Sequence, residues 1–206
     1  MIKIKKIVSG VLSENCYVVY DSKSLRAVLI DPGEDGEKVI FELTKDKLKP
    51  EMVVNTHGHY DHVLSDDRIR SEFKIPLAIH KYEIGTLINS FESISKSFDF
   101  PGIVKMPEII LEDNQEVKLT FTTFKVIHTP GHTEGSICLL FADFLITGDT
   151  LFAGTIGRTD LVGGSYEGIL DSLSKIKRLS TSLVVYPGHG SKTILANELR
   201  NNPYLK

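Results

Sequence analysis

Seven histidines and the carboxylates nearest them carry most of the chemistry open to this chain. The segment Thr56-His57-Gly58-His59-Tyr60-Asp61-His62 sets four metal-competent side chains within six positions, just after the apolar run Met52-Val53-Val54. If the backbone stays extended there, His57 and His59 project to one side, because strand residues alternate faces. Asp61 and His62, at the start of a helical pattern, reach the same space from another direction, and Asp61 suits a helix N-terminus. Imidazole and carboxylate donors at one-residue steps are what a shared cation needs, and a solvated loop needs none of them.

Three more ligand types follow downstream, each directly after a strand-like run. His132 stands in Thr129-Pro130-Gly131-His132-Thr133, Asp149 in Thr147-Gly148-Asp149-Thr150, and His189 in Pro187-Gly188-His189-Gly190. Glycine lets backbone approach a site closely, and loops at strand ends are where α/β sheets hold ligands. Five of the seven histidines fall in these segments. With the two carboxylates they make a donor set too large for one tetrahedral zinc and suited to two divalent metal ions bridged by a carboxylate and a water. Zinc is the first expectation, with iron or manganese as alternatives.

Other polar residues read differently. His80 ends a strand pattern and His128 precedes Thr129-Pro130, and both are expected to be hydrogen-bonded structural histidines. Cys16 and Cys138 lie in β-like apolar runs and read as small buried hydrophobes. Arg158, in the Gly-rich stretch after Asp149, is a candidate for binding an anionic substrate group through its fork of donors, or for pairing with Asp160 to fix the loop.

The elements that must position these groups alternate in type. Ile2, Ile4 and Val8 are expected on one strand face, and Cys16 to Tyr20 and Arg26 to Ile30 are β-rich runs around an Asp21–Ser24 turn. A helical face of Val39, Ile40, Leu43 and Leu48 leads to the strand Met52–Val54, followed by helix over 61–73, strand over 76–80 and helix over 81–89. Residues 91–108 show neither period and read as a long loop or lid. Strand patterns return over 116–121, 123–127, 136–141 and 144–147. A helix over 166–179 buries Ile169, Leu170, Leu173 and Ile176, and a strand over 183–186 and a helix over 194–199 close the chain. The class is α/β, the second half repeats the first in outline, and no linker divides residues 1–206, so one domain is expected.

Composition narrows the partners. A 41% hydrophobic, 25% charged chain is ordinary globular material. Twenty-four basic and 27 acidic residues, interspersed, leave no basic stripe for nucleic acid. The N-terminus alternates Lys with aliphatics, unlike a signal peptide, and the longest apolar run, Ile137 to Ala142, is too short to span a bilayer. Two distant cysteines form no disulfide framework. A cytoplasmic protein acting on a small molecule is expected; nothing in the sequence fixes an oligomeric state.

The series His-x-His-x-Asp-His followed by His132, Asp149 and His189 resembles the metallo-β-lactamase-fold superfamily. From Asn15-Cys16-Tyr17 through Gly157-Arg158-Thr159-Asp160 to Asn202-Pro203-Tyr204-Leu205, nearly the whole chain is similar to a short glyoxalase II-like hydrolase. The resemblance implies a four-layer αββα sandwich with metals at one edge. It assigns His57, His59 and His132 to a first ion, Asp61, His62 and His189 to a second, Asp149 to both, and Asp31 to support of the metal loop. It implies thioester hydrolysis on S-acyl glutathione-like substrates, with Asp61 able to accept a proton. Two departures stand out: Gly58 occupies a position where glyoxalase II usually has another His, and only residues 190–206 follow His189, where that enzyme carries a helical domain that helps hold glutathione. Persulfide dioxygenases resemble the same fold and give the alternative, a single iron on His57, His132 and Asp149.

Overall fold

The computed structural model describes residues 1–90 and 105–206. Strands β1 (Ile2–Ser9), β2 (Glu14–Asp21) and β3 (Arg26–Ile30) pair antiparallel. Helix α1 (Gly36–Lys45) then carries the chain over to β4 (Lys49–Val54), which lies parallel to β3, as a crossover of this length permits. Helices α2 (Tyr60–Val63) and α3 (Asp66–Phe73) lead to β5 (Leu77–His80), and β6 (Ile109–Leu111) completes a six-stranded sheet in chain order.

The second half follows the same plan. Strands β7 (Glu116–Lys118), β8 (Thr123–His128), β9 (Ile137–Leu140) and β10 (Phe144–Gly148) form an antiparallel meander. A small hairpin of β11 (Leu151–Phe152) and β12 (Thr155–Ile156) follows. Helix α4 (Tyr166–Ile176), capped by the Ser165 side chain on the Gly168 amide, crosses to β13 (Val184–Pro187), parallel to β10. Strand β14 (Thr193–Ile194) and helix α5 (Leu195–Asn201) end the second sheet's edge.

Period-two alternation sorts the strand side chains into layers. Tyr17, Val19, Val28, Ile30 and Val54 meet Phe124, Val126, Leu139 and Ile146 between the sheets. Their sequence neighbours Cys16, Val18, Leu29 and Val53 face outward onto Val39 and Leu43 of α1 and Ile69 of α3. On the far side, Cys138, Leu145 and Val185 lie under Leu173 and Ile176 of α4 and Leu195 of α5. The result is the four-layer αββα sandwich.

In β1 the unbroken register keeps Ile2, Ile4 and Val8 on one face as expected, with Ile4 against the core between the sheets and Val8 41% exposed near the strand end, while Ile7 is buried on the helix side. Two local expectations are corrected. The helix expected over 61–73 breaks at Leu64–Ser65, because the Ser65 amide donates to the Pro32 carbonyl and its hydroxyl to that of Glu34. The strand expected over 116–121 stops at Lys118, where a turn closed by Leu119 N–H on the Thr122 carbonyl takes over. Of the loop or lid expected over 91–108, residues 91–104 lie outside the described residues; the carbonyls of Lys105 and Met106 accept from the buried Arg70 guanidinium, which also pairs with Glu108. Among the described residues no helix is long and apolar enough to cross a membrane.

Candidate metal centre

Every sequence-predicted ligand sits just beyond the C-terminal end of a strand: His57 to His62 after β4, His132 after β8, Asp149 after β10 and His189 after β13. Backbone bonds sew the two sheets together at this end. The Ile137 amide donates to the Thr56 carbonyl at 2.9 Å and the Asn15 amide to that of Gly188 at 2.7 Å. Asn15 Nδ2 donates to the carbonyls of Pro187 and Gly190, and the Tyr17 hydroxyl to that of Pro187, so Asn15 and Tyr17 hold the loop that presents His189.

The side chains converge into groups. Ligand atoms of His57, His59 and His132 lie within 4.8 Å of one another, as do those of Asp61, His62 and His189. His59 Nδ1 is 2.9 Å from His132 Nε2, and His62 Nε2 is 3.3 Å from His189 Nε2. Asp61 Oδ2 lies 3.3 Å from His189 Nε2 and 3.6 Å from His62 Nε2. Asp149 stands between the groups: its carboxylate oxygens are 3.5 Å from His132 Nε2, 3.6 Å from His62 Nε2 and 3.7 Å from His189 Nε2. Two ligands each roughly 2.1 Å from a tetrahedral ion are about 3.4 Å apart, which is the scale of these separations. His57 Nε2 and Asp149 Oδ1 are buried with no hydrogen-bond partner among the described residues, so both have a lone pair to give. The donor set therefore fits metal ions.

The second nitrogen of four rings is held by an acceptor, which sets the tautomer. His62 Nδ1 is 3.1 Å from Asp31 Oδ2, His132 Nδ1 is 2.8 Å from the Arg158 carbonyl, and His189 Nδ1 is 3.1 Å from that of Leu12. His57 Nδ1 is 3.1 Å from Thr56 Oγ1, whose hydroxyl donates to Asp31 Oδ2. These four rings offer Nε2 to the centre and His59 offers Nδ1. Asp31 also accepts the Thr56 amide, so one buried carboxylate braces both ends of the 56–62 segment.

Charge divides the rings. Burial lowers the pKa of His57 strongly, with the four neighbouring imidazoles adding to the effect, and burial lowers that of His59 to about 4. Burial lowers His132 too. It also opposes the His62 imidazolium, but Asp149, Asp31 and Glu14 outweigh it and hold His62 well above the usual imidazole range. Burial opposes the His189 imidazolium, and Asp61 and Asp149 raise it overall. Asp61 feels a desolvation penalty but is lowered on balance by His189 and His62.

Arg158 contributes its carbonyl to His132, while its exposed guanidinium makes a bidentate pair with Asp160 at 2.8 Å for both bonds. Neither His80 nor His128 joins the ligand groups among the described residues. His128 Nε2 meets the Glu134 carbonyl as a structural His should, but His80 Nδ1 is buried without a partner, and the ring is held by stacking on His128 at 4.2 Å. Cys16 and Cys138 are free and buried. Two buried carboxylates beside the candidate ligands carry no sequence signal. Glu14 is buried 3.9 Å from His62 Nδ1, and burial pushes its carboxyl well above the usual range. Glu83, fully buried, accepts from the loops that carry His59 and His132.

The family model of the metallo-beta-lactamase superfamily matches residues 9–189. The chain belongs to this superfamily. Among its relatives, the hydroxyacylglutathione hydrolase GloC of Haemophilus influenzae is 32% identical over 93% of this chain and 92% of its own. The crystal structure of BLEG-1, a B3 metallo-beta-lactamase, superposes with a TM-score of 0.91 at 34% identity, covering 99% of this chain and 100% of that one. TTHA1623, solved in a di-iron-bound form, gives 0.86 at 30% identity, covering 98% and 100%. The superfamily match agrees with the resemblance read from the ligand series.

Proposed function

We propose that this metallo-beta-lactamase superfamily member is a binuclear metal-dependent hydrolase of thioesters of the S-acyl glutathione type. The observation that carries the proposal is Asp149, whose carboxylate faces both the His57, His59, His132 group and the Asp61, His62, His189 group. One such group could serve a lone ion; a carboxylate shared by two groups suits a pair. Two bound divalent ions supply a water acidic enough to attack at neutral pH and a Lewis acid for the carbonyl oxygen.

The chain's own residues do the rest. His57, His59 and His132 hold the first position, Asp61, His62 and His189 the second, and Asp31, Thr56, Arg158 and Leu12 fix the rings from behind. In hydrolysis the water oxygen bonds to the thioester carbon, the C–S bond breaks, and the thiolate leaves. Asp61, on the rim of both His62 and His189, takes the proton released and returns it to the leaving sulfur. Arg158 lies at the loop edge where it can exchange Asp160 for an anionic substrate group. The likeness to GloC supports the glutathione thioester, and the di-iron form of TTHA1623 supports two ions and adds iron beside zinc. On this reading the enzyme works on a small molecule in the cytoplasm as a single domain.

The test is elemental analysis of the purified protein together with three assays: an S-acyl glutathione thioester, a β-lactam, and oxygen consumption with a persulfide. About two ions per chain and turnover of the thioester are expected. One ion with oxygen uptake would replace the proposal with a mononuclear-iron dioxygenase, and β-lactam turnover alone would replace its substrate.

A further inference from the structure

Glu83 ends a short 3-10 turn (Lys81–Glu83) after β5, and its side chain is fully buried. Its two oxygens reach different loops. Oε2 accepts the Gly58 amide at 2.7 Å, in the loop between His57 and His59. Oε1 accepts the Gly135 amide at 2.7 Å and the Thr133 hydroxyl, in the loop that begins with His132. Ser90, further along the same stretch, donates to the Gly58 carbonyl at 2.7 Å, so both polar groups of that peptide segment are gripped from one side. The Thr133 hydroxyl in turn meets Ser136 Oγ at 2.6 Å, which also accepts the Thr133 amide.

The surrounding residues are shaped to this contact. A Cβ on Gly58 would stand 2.7 Å from the Leu87 nitrogen and 3.0 Å from Glu83 Oε2; one on Gly135 would stand 2.7 Å from the Glu83 nitrogen and 2.8 Å from its Cγ. Separations below about 3 Å put a carbon inside the contact distance of packed atoms, so a side chain at 58 would be forced against the Leu87 backbone and crowd the Glu83 carboxylate. This gives a physical reason for glycine at position 58. Glu83 crosses between the two halves of the chain, and the loops it joins carry His57, His59 and His132. None of its contacts reaches Asp61, His62 or His189.

We infer that Glu83 is a positioning residue for the first metal position alone, a buried carboxylate strap that holds the His57-Gly58-His59 loop against the His132 loop. Asp31 braces the same segment from its other side, holding His57 through Thr56 and holding His62 directly, so removing Glu83 frees the His59 and His132 loops from each other while His57 and the second group keep their brace. The inference rests on the two-ion reading.

The experiment uses metal-loaded protein challenged with a graded chelator, with ions per chain as the readout. Glu83→Gln keeps the volume but turns an amide N–H toward one of the backbone N–H donors; Glu83→Ala removes the strap. Wild type should hold two ions. In the His189→Ala background, which keeps the first position, Glu83→Gln should lower ion affinity about 10- to 100-fold, the range for outer supports of metal ligands. In the His132→Ala background, which keeps the second, it should change nothing. Equal loosening in both backgrounds, or in neither, overturns the inference. A wild type that binds only one ion would instead overturn the two-ion reading, and the two failures are distinct. If Glu83→Ala fails to fold, the Glu83→Gln comparison still decides.

Discussion

Asp31 Oδ2 lies 3.1 Å from His62 Nδ1 and also accepts the Thr56 hydroxyl, which meets His57 Nδ1. One buried carboxylate thus orients a ring in each ligand group. Asp31→Asn should lower metal affinity about 10- to 100-fold, because it weakens the acceptor that fixes both tautomers. A chelator titration checks this, and unchanged ion retention would reduce Asp31 to a turn residue.

Deleting one ligand from each group separates the two readings of the centre. His132→Ala and His189→Ala should each leave about one ion per chain and remove most thioesterase activity, since each empties one half of the pair. If His189→Ala kept near-normal thioester hydrolysis with a single ion, the binuclear hydrolase would be wrong. If it kept oxygen uptake with a persulfide, the dioxygenase would take its place.

Arg158 is engaged with Asp160 by two bonds on the exposed loop. Should the guanidinium bind an anionic substrate group, Arg158→Ala would raise KM for charged thioesters several-fold and leave a neutral thioester nearly unaffected. Equal losses on both substrates with a lower Tm would assign the residue to fixing its loop.

His80 gives a pH dependence outside the centre. Burial, with His128 and Lys81, lowers its pKa to about 4 against the weaker pull of Asp113 and Glu112. The unfolded imidazole titrates near ~6.5. Between those values the unfolded chain binds a proton that the folded chain refuses, so this contribution is intact above about pH 6.5 and is lost as the pH falls toward 4. The slope from one such group approaches ~1.4 kcal/mol per pH unit. Denaturant unfolding of wild type and His80→Gln should diverge across this window, with the wild type steeper; parallel curves would show that His80 does not titrate this way.

The candidate donors were legible in the sequence because few side chains, imidazoles and carboxylates among them, bind divalent metals, and because strand ends carry them in short local runs: His57 to His62, His132, Asp149 and His189 needed no long-range information to be noticed. The α/β order was legible in the same way, since the continuous apolar runs of β3 and β10 mark strands covered on both faces and the stripe in α4 marks an outer layer, whereas the four-layer αββα arrangement was read from the resemblance to the metallo-β-lactamase fold. Strands of two or three residues such as β6, β11 and β14 were not, because so few residues show no period. Which nitrogen of each ring faces the centre was decided only by partners such as the Leu12 and Arg158 carbonyls, 177 and 26 positions away from the rings they hold. The same is true of Glu14, Asn15, Tyr17 and Glu83. A buried carboxylate is identified by the amides that reach it: Gly58 reaches Glu83 from another loop of the first half, and Gly135 only after the two halves of the chain have come together. Sequence determines the donors because their chemistry is carried by residue type; their orientation belongs to the tertiary structure because hydrogen-bond direction is set by groups distant in the chain.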